Sequence, residues 1–199
     1  MRHWLLAALL MACWEGSRAA ADGPRAAVSE EQAHSLDRKF QELLAQKRAG
    51  RLPRDKTVLV TEGELNSYVN LMTKMPPSLS NLEIRLERDR IGATGLLDLD
   101  QLQGKLPSGG VFSAFAFLSG KMQVVLKGRL QNQEGFGSID FEEIRVGSIP
   151  ISEAVLAKMV AAATKSEERP EGFDVLAPFR YPYSVRKIRL QAGRAYLDF

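Results

Sequence analysis

The stretch from Val58 to Met72, VLVTEGELNSYVNLM, constrains the fold most, because a β-branched run stops there at a helix-start signal and an amphipathic helix follows at once. Thr61 and Glu64 have capping-box spacing: the threonine oxygen accepts from the Glu64 amide while the Glu64 side chain accepts from the Thr61 amide. Leu65, Tyr68, Val69 and Met72 then recur at helical spacing and give the helix a continuous apolar face. That face needs a partner. The segments that follow alternate with a period of two, so the spacing predicts a helix lying on a sheet.

A second helix start precedes this one. Ser29 and Gln32 form another capping box, Ala33, Leu36, Phe40, Leu43 and Leu44 make one apolar face, and Gly50 is a natural stop. Arg51 to Lys56, with Pro53, reads as a polar connector. After Pro76-Pro77, Leu82, Ile84 and Leu86 alternate with charged residues, Arg88-Asp89-Arg90 turns the chain, and Ile91 to Asp100 returns with Leu97 and Leu99 on one face. Strands joined so tightly are antiparallel. Lys121 to Gln131 places Met122, Val124, Leu126 and Leu130 on one side, and Phe136 to Ile149 follows it. In that strand Glu142-Glu143 breaks the alternation, and a bulge there restores the apolar face carrying Ile139, Phe141, Ile144 and Val146. Ser152 is placed to cap a third helix with the stripe Val155, Leu156, Met159, Val160 and Ala163. Pro178 and Pro182 bracket an aromatic connector, and Ser184 to Leu190 with Arg194 to Phe199 reads as a closing hairpin around Ala192-Gly193. The fold class expected is α+β, a strongly twisted antiparallel sheet wrapped around or packed against helices.

The leading residues argue for export. Arg2 is a short positive region, Trp4 to Trp14 is an apolar run too short to span a bilayer, and Ala19-Ala20-Ala21 is a small-residue cleavage site. Leu10-Met11-Ala12-Cys13 offers a competing lipobox reading, with anchoring through an acylated Cys13. Both readings put the folded part in the periplasm or cell envelope; with cleavage after Ala21 the chain divides into a signal (1–21), a helix with its connector (22–56) and a main domain (57–199). Cys13 is the single cysteine, so no intramolecular disulfide can form and the fold rests on its apolar core. The formal charge of +3 is small and mixed in sequence, which argues against a nucleic-acid partner.

Catalytic chemistry finds few residues. His34 is the only histidine beyond residue 21, too few partners for a zinc site or a Ser-His-Asp triad. Asp98 with Asp100, and Asp140 with Glu142, have the spacing of acid/base pairs on a strand face, and solvated strand faces have the same spacing. No phosphate-cradling glycine loop with its lysine is present. The expectation is a non-enzyme with no cofactor and no metal. Arg180, Arg186, Lys187, Arg189 and Arg194 can attract anionic headgroups, so a membrane surface is a further expected partner, or they simply dress an exposed strand.

The segment VLVTEGELNSYVN, the strand pair ending IGATGLLDLD and the hairpin GKMQVVLKGRLQNQEGFGSIDFEEIRVGSIPIS together resemble the small bacterial members of the TULIP superfamily. These tubular lipid-binding proteins are related to bactericidal/permeability-increasing protein. The resemblance covers most of residues 57–199 and includes a Gly-x-Ile-Pro-Ile step at Gly147, Ile149, Pro150 and Ile151; the helix of residues 29–50 lies outside it. It implies a twisted antiparallel sheet that wraps a long helix and leaves an apolar groove for acyl chains, and it brings no individual binding residue with it. On the residues alone, the groove is expected between Leu65, Val69 and Met72 of the second helix and Leu97, Leu99, Met122, Val124 and Leu126 of the strands. Phe112, Phe115 and Phe117, in the irregular stretch 101–120, are expected near its mouth as a flap, or else as part of the closed core. Met72, Met75, Met122 and Met159 likewise line a groove or fill the core. The expected function is an apolar-ligand binding protein; the alternative is an envelope interaction module with a filled core.

Overall fold

The computed structural model describes residues 28–50, 56–101, 119–165 and 170–199. Within them the chain runs α1 (Glu30–Arg48), β1 (Thr57–Thr61), α2 (Glu62–Met72), β2 (Leu79–Glu87), β3 (Arg90–Asp98), β4 (Lys121–Gln133), β5 (Phe136–Val146), β6 (Ile149–Pro150), α3 (Glu153–Thr164), β7 (Phe179–Arg180), a 3-10 turn (Pro182–Ser184), β8 (Lys187–Gln191) and β9 (Arg194–Asp198). The first 27 residues and Phe112, Phe115 and Phe117 lie outside the described residues, so the export segment and the aromatic flap are not described. Among the described residues no helix is long and apolar enough to cross a membrane.

Capping chemistry sets the starts of α1 and α2. Ser29 Oγ accepts from the Gln32 amide. Thr61 Oγ1 accepts from the Glu64 amide at 3.2 Å while Glu64 Oε2 accepts from the Thr61 amide at 2.9 Å, so the expected box is complete. Ser152 stands at the cap position of α3 but makes no side-chain cap bond.

The strands form a strongly curled antiparallel half-barrel, order β2-β3-β4-β5-β6 with β7 also on β5, and a separate three-stranded sheet, order β1-β9-β8. The closing hairpin is therefore β8 and β9, and β1 joins its free side in antiparallel register. In the larger sheet Ile84 lies opposite Ala93, Ala93 opposite Leu126 and Leu126 opposite Ile144, so the apolar residues of four strands share one inner face. The expected bulge is present: Lys127 pairs with Glu143 and Gly128 with Phe141, leaving Glu142 as the extra residue and keeping Phe141 and Ile144 on the same side. Gly128 is needed there, because a Cβ would sit 2.7 Å from the Asp140 carbonyl oxygen.

Helix α2 closes the β2 edge of this sheet with a ladder of side chains. Glu62 Oε2 accepts from the Leu86 amide (2.6 Å), Asn66 bonds both the amide and the carbonyl of Ile84 (2.6 and 2.8 Å), and Asn70 Nδ2 donates to the Leu82 carbonyl (2.7 Å). The periods match: four helical residues rise about 6 Å and two strand residues about 6.7 Å, so positions 62, 66 and 70 track 86, 84 and 82. The hairpin tip locks the same corner. Glu62 N donates to Gly193 O and Gly193 N to Leu86 O, at 2.9 and 2.8 Å.

The interior has two ends. At one, α1, α2, the inner face of the hairpin sheet and Leu82, Ile84, Leu86, Ile91 and Ala93 make the main core. At the other, α3 covers the sheet. Leu97, Leu99 and Val146 pack there with Val155 and Met159, and Ile144 packs with Leu156 and Val175. The expectation that α2 shares one interior with Leu97, Leu99, Met122, Val124 and Leu126 is corrected here. Those residues lie on the right face but at the far end: the 13 residues of β4 span about 41 Å, while the 11 of α2 span about 16 Å. One short helix cannot cover a strand of that length, and α3 takes the remainder.

Candidate functional site

An apolar cleft opens in the main core where α1, α2 and the three-stranded sheet meet. Period-two alternation places Val60, Ala195, Leu197 and Ile188 on the inner face of that sheet, with Val60 opposite Ala195 and Leu197 opposite Ile188. Leu65 of α2 and Phe40 of α1 form the opposite wall, and the connector from Phe179 to Val185 closes the side. The exposed wall is wholly apolar. Its cavity volume is about 30 Å³, small beside the ~150 Å³ of an engineered apolar cavity that admits benzene. The closed cleft has room for a small group rather than a complete acyl chain.

Aromatic contacts order the wall. Phe40 meets Tyr68 edge-on (5.4 Å between centroids, 86°) and stacks with Tyr183 (6.0 Å, 24°), while Phe179 meets Tyr181 at 5.8 Å and 70°. Tyr181 is the anchor of the connector. Its amide donates to Gly135 O and its hydroxyl to Asn132 Oδ1, both at 2.9 Å, and the same Asn132 oxygen accepts from the Ile188 amide. Burial pushes its phenol well above the ordinary range, so it acts as a neutral hydrogen-bond donor. Gly137 makes room for the ring, since a Cβ there would come 2.5 Å from the Tyr181 hydroxyl.

Beside the cleft lies a buried ionic group that joins α1 to α2. Glu64 is 7% exposed. Its carboxylate accepts from Lys39 Nζ (2.7 and 2.8 Å), Ser35 Oγ (2.7 Å) and the Thr61 amide and hydroxyl. Burial alone would raise its pKa, but the bonds from Lys39, Ser35 and Thr61 and the lysine charge outweigh burial and hold it below the ordinary value. A carboxylate with its acceptor sites so occupied ties α1 to α2 and has no lone pair to offer a substrate.

Of the described residues expected at the groove, Leu65 alone lines this cleft. Val69 is fully buried in the main core and Met72 packs against it. Leu97, Leu99, Met122 and Val124 gather under α3, and Leu126 packs in the neighbouring group with Ile144. Phe40, the Phe179–Val185 connector and the hairpin residues were not expected as a site. Their signal was the aromatic run between Pro178 and Pro182, which in sequence does not say what it faces. Asp98 accepts from Gln101 and Asp100 from the Gly120 amide, while Glu142, in the bulge, is paired with Arg90 and Arg129. Among the described residues no group of acidic, histidine or cysteine side chains has metal-ligand geometry. Of the C-terminal cations, Arg189 is held by Asp198 and lies over the Tyr196 ring at 5.2 Å. Comparison with family models, with curated proteins and with solved structures gives no match to the chain.

Proposed function

We propose that this chain is an exported, non-catalytic binding module that takes the hydrocarbon part of a lipid or another apolar ligand between its hairpin sheet and its helices. The observation that carries the reading is the cleft with a wholly apolar wall between Phe40, Leu65 and the inner face of β1, β8 and β9. Such a wall offers no directional polar contact, so it selects for apolar surface, at about 0.8 kcal/mol per methylene removed from water. The TULIP-like reading belongs here as well. It draws support from the curled antiparallel half-barrel with helices on its inner face. In this reading the ligand's polar end stays outside the cleft.

The test is native mass spectrometry of the protein purified from a bacterial envelope extract, followed by lipid extraction and titration with a fluorescent fatty acid. Ala195→Leu, at the cleft wall, weakens fatty-acid binding severalfold, whereas Val124→Trp under α3 leaves it unchanged. Equal binding by wild type and Ala195→Leu, with no copurifying lipid, would remove this site. The second reading, an envelope interaction module with a filled core, draws on the small volume of the cleft. It gains if no apolar probe binds and a protein partner copurifies instead.

A further inference from the structure

Five of the eleven cleft-lining residues, Phe179, Tyr181, Pro182, Tyr183 and Val185, come from one connector without long regular structure. Its two ends are fixed. Tyr181 is bonded to Gly135 and Asn132, and Arg186 N donates to Asp198 O at 2.8 Å. Between these anchors the backbone bond from Val185 N to Pro182 O (3.1 Å) is internal to the turn and ties it to no neighbouring element. Tyr183 and Ser184, neither of them glycine, both sit in the left-handed region, at φ 53° and 64°. Both conformations are unfavourable for an L-residue, and such strain persists only where surrounding contacts hold it. Here the Phe40–Tyr183 stack provides one such contact.

We propose that Pro182–Val185 is the gate of the apolar cleft, latched shut by Tyr183 on Phe40 and sprung by the left-handed backbone of Tyr183 and Ser184. The inference rests on the apolar-ligand reading of the cleft. It supplies what that reading needs, because a cavity of about 30 Å³ must enlarge to take an acyl chain and the anchored strands of the hairpin sheet are not free to move apart. Return of either residue to an ordinary φ swings the Tyr183 ring off Phe40 and opens the side of the cleft without breaking a strand pair.

Ser184 is exposed and does not line the cleft, so it can be changed without altering the wall. Glycine there removes the left-handed penalty and favours the shut gate; valine increases the penalty and favours the open one. Hydrogen exchange of the ligand-free full chain reads the gate directly. In Ser184→Gly the amides of Tyr183 to Val185 exchange about two- to fivefold more slowly, and in Ser184→Val faster by a similar factor, with the Arg186 anchor, β8 and β9 unchanged. Uptake of diphenylhexatriene follows the same order. If the valine variant fails to fold, the glycine and wild-type pair carries the comparison alone. Connector exchange at the wild-type rate in Ser184→Gly, with the probe still bound, overturns the gate and leaves the ligand reading standing. A shift in connector exchange with no probe uptake in any variant overturns the ligand reading and the gating role together.

Discussion

Glu64 joins three kinds of interaction in one carboxylate: a helix cap, an ion pair to Lys39 and a hydroxyl bond from Ser35. Its pH consequence has a definite sign. Because the folded-state pKa lies below the ordinary value of 4.5, its contribution is fully present above pH 4.5 and is lost as the pH falls through the depressed value. Glu64→Gln is expected to cost about 1.5–3 kcal/mol at neutral pH, the range for hydrogen bonds to a charged group. It should also flatten the acid limb relative to wild type. Urea denaturation of both proteins from pH 7 to pH 3 checks this, and a difference that stays constant across that range would count against it. The capping half of this role was legible in the Thr61–Glu64 spacing. The Lys39 half was not, since residues 25 apart in sequence meet only when α1 packs on α2.

At the scale of elements, the α2–β2 ladder gives a polar helix stripe a role that its spacing alone does not disclose. Glu62, Asn66 and Asn70 recur every four residues and look like the solvated side of an amphipathic helix; in the fold they replace a neighbouring strand for the β2 edge. Asn66→Leu leaves both the amide and the carbonyl of Ile84 buried without this partner. At about 1–3 kcal/mol per orphaned group, the variant should lose more stability than Asn70→Leu, which gives up one strand bond. Equal losses in chemical denaturation would mean that the ladder does not bear on stability. The bulge was legible, because Glu142-Glu143 interrupts an alternation that is regular on either side. Gly128→Ala then tests its geometry: the new Cβ meets the Ile139 side chain at 2.6 Å and the Asp140 backbone oxygen at 2.7 Å, so the strands must part, at a cost of about 1–3 kcal/mol.

Across the whole molecule, alternation told which residues face inward but not how far along a strand each one lies. Alternation therefore places α2 and the inward faces of Leu97, Leu99, Met122, Val124 and Leu126 in one interior, whereas α2 and α3 divide the sheet between them. The cleft was illegible for a related reason: Phe40, Leu65, Tyr183 and Leu197 come from four separate elements, and no local pattern joins them. The division also predicts unequal stability. The main core draws on both N-terminal helices, the hairpin sheet and β2 and β3, while α3 contributes three buried residues, Val155, Leu156 and Met159, to two smaller groups. A region with fewer buried apolar contacts opens at lower free energy than the global transition. Native-state hydrogen exchange should accordingly show α3 exchanging through a sub-global opening, with α2 and β9 protected to the global limit. Leu65→Ala, in the main core, should lower global stability by about 2–5 kcal/mol. Leu156→Ala should instead speed exchange in α3 while leaving protection in α1, α2 and β9 near wild type. If Leu156→Ala lowers protection evenly throughout the chain, the two ends form one cooperative unit and the division has no energetic meaning.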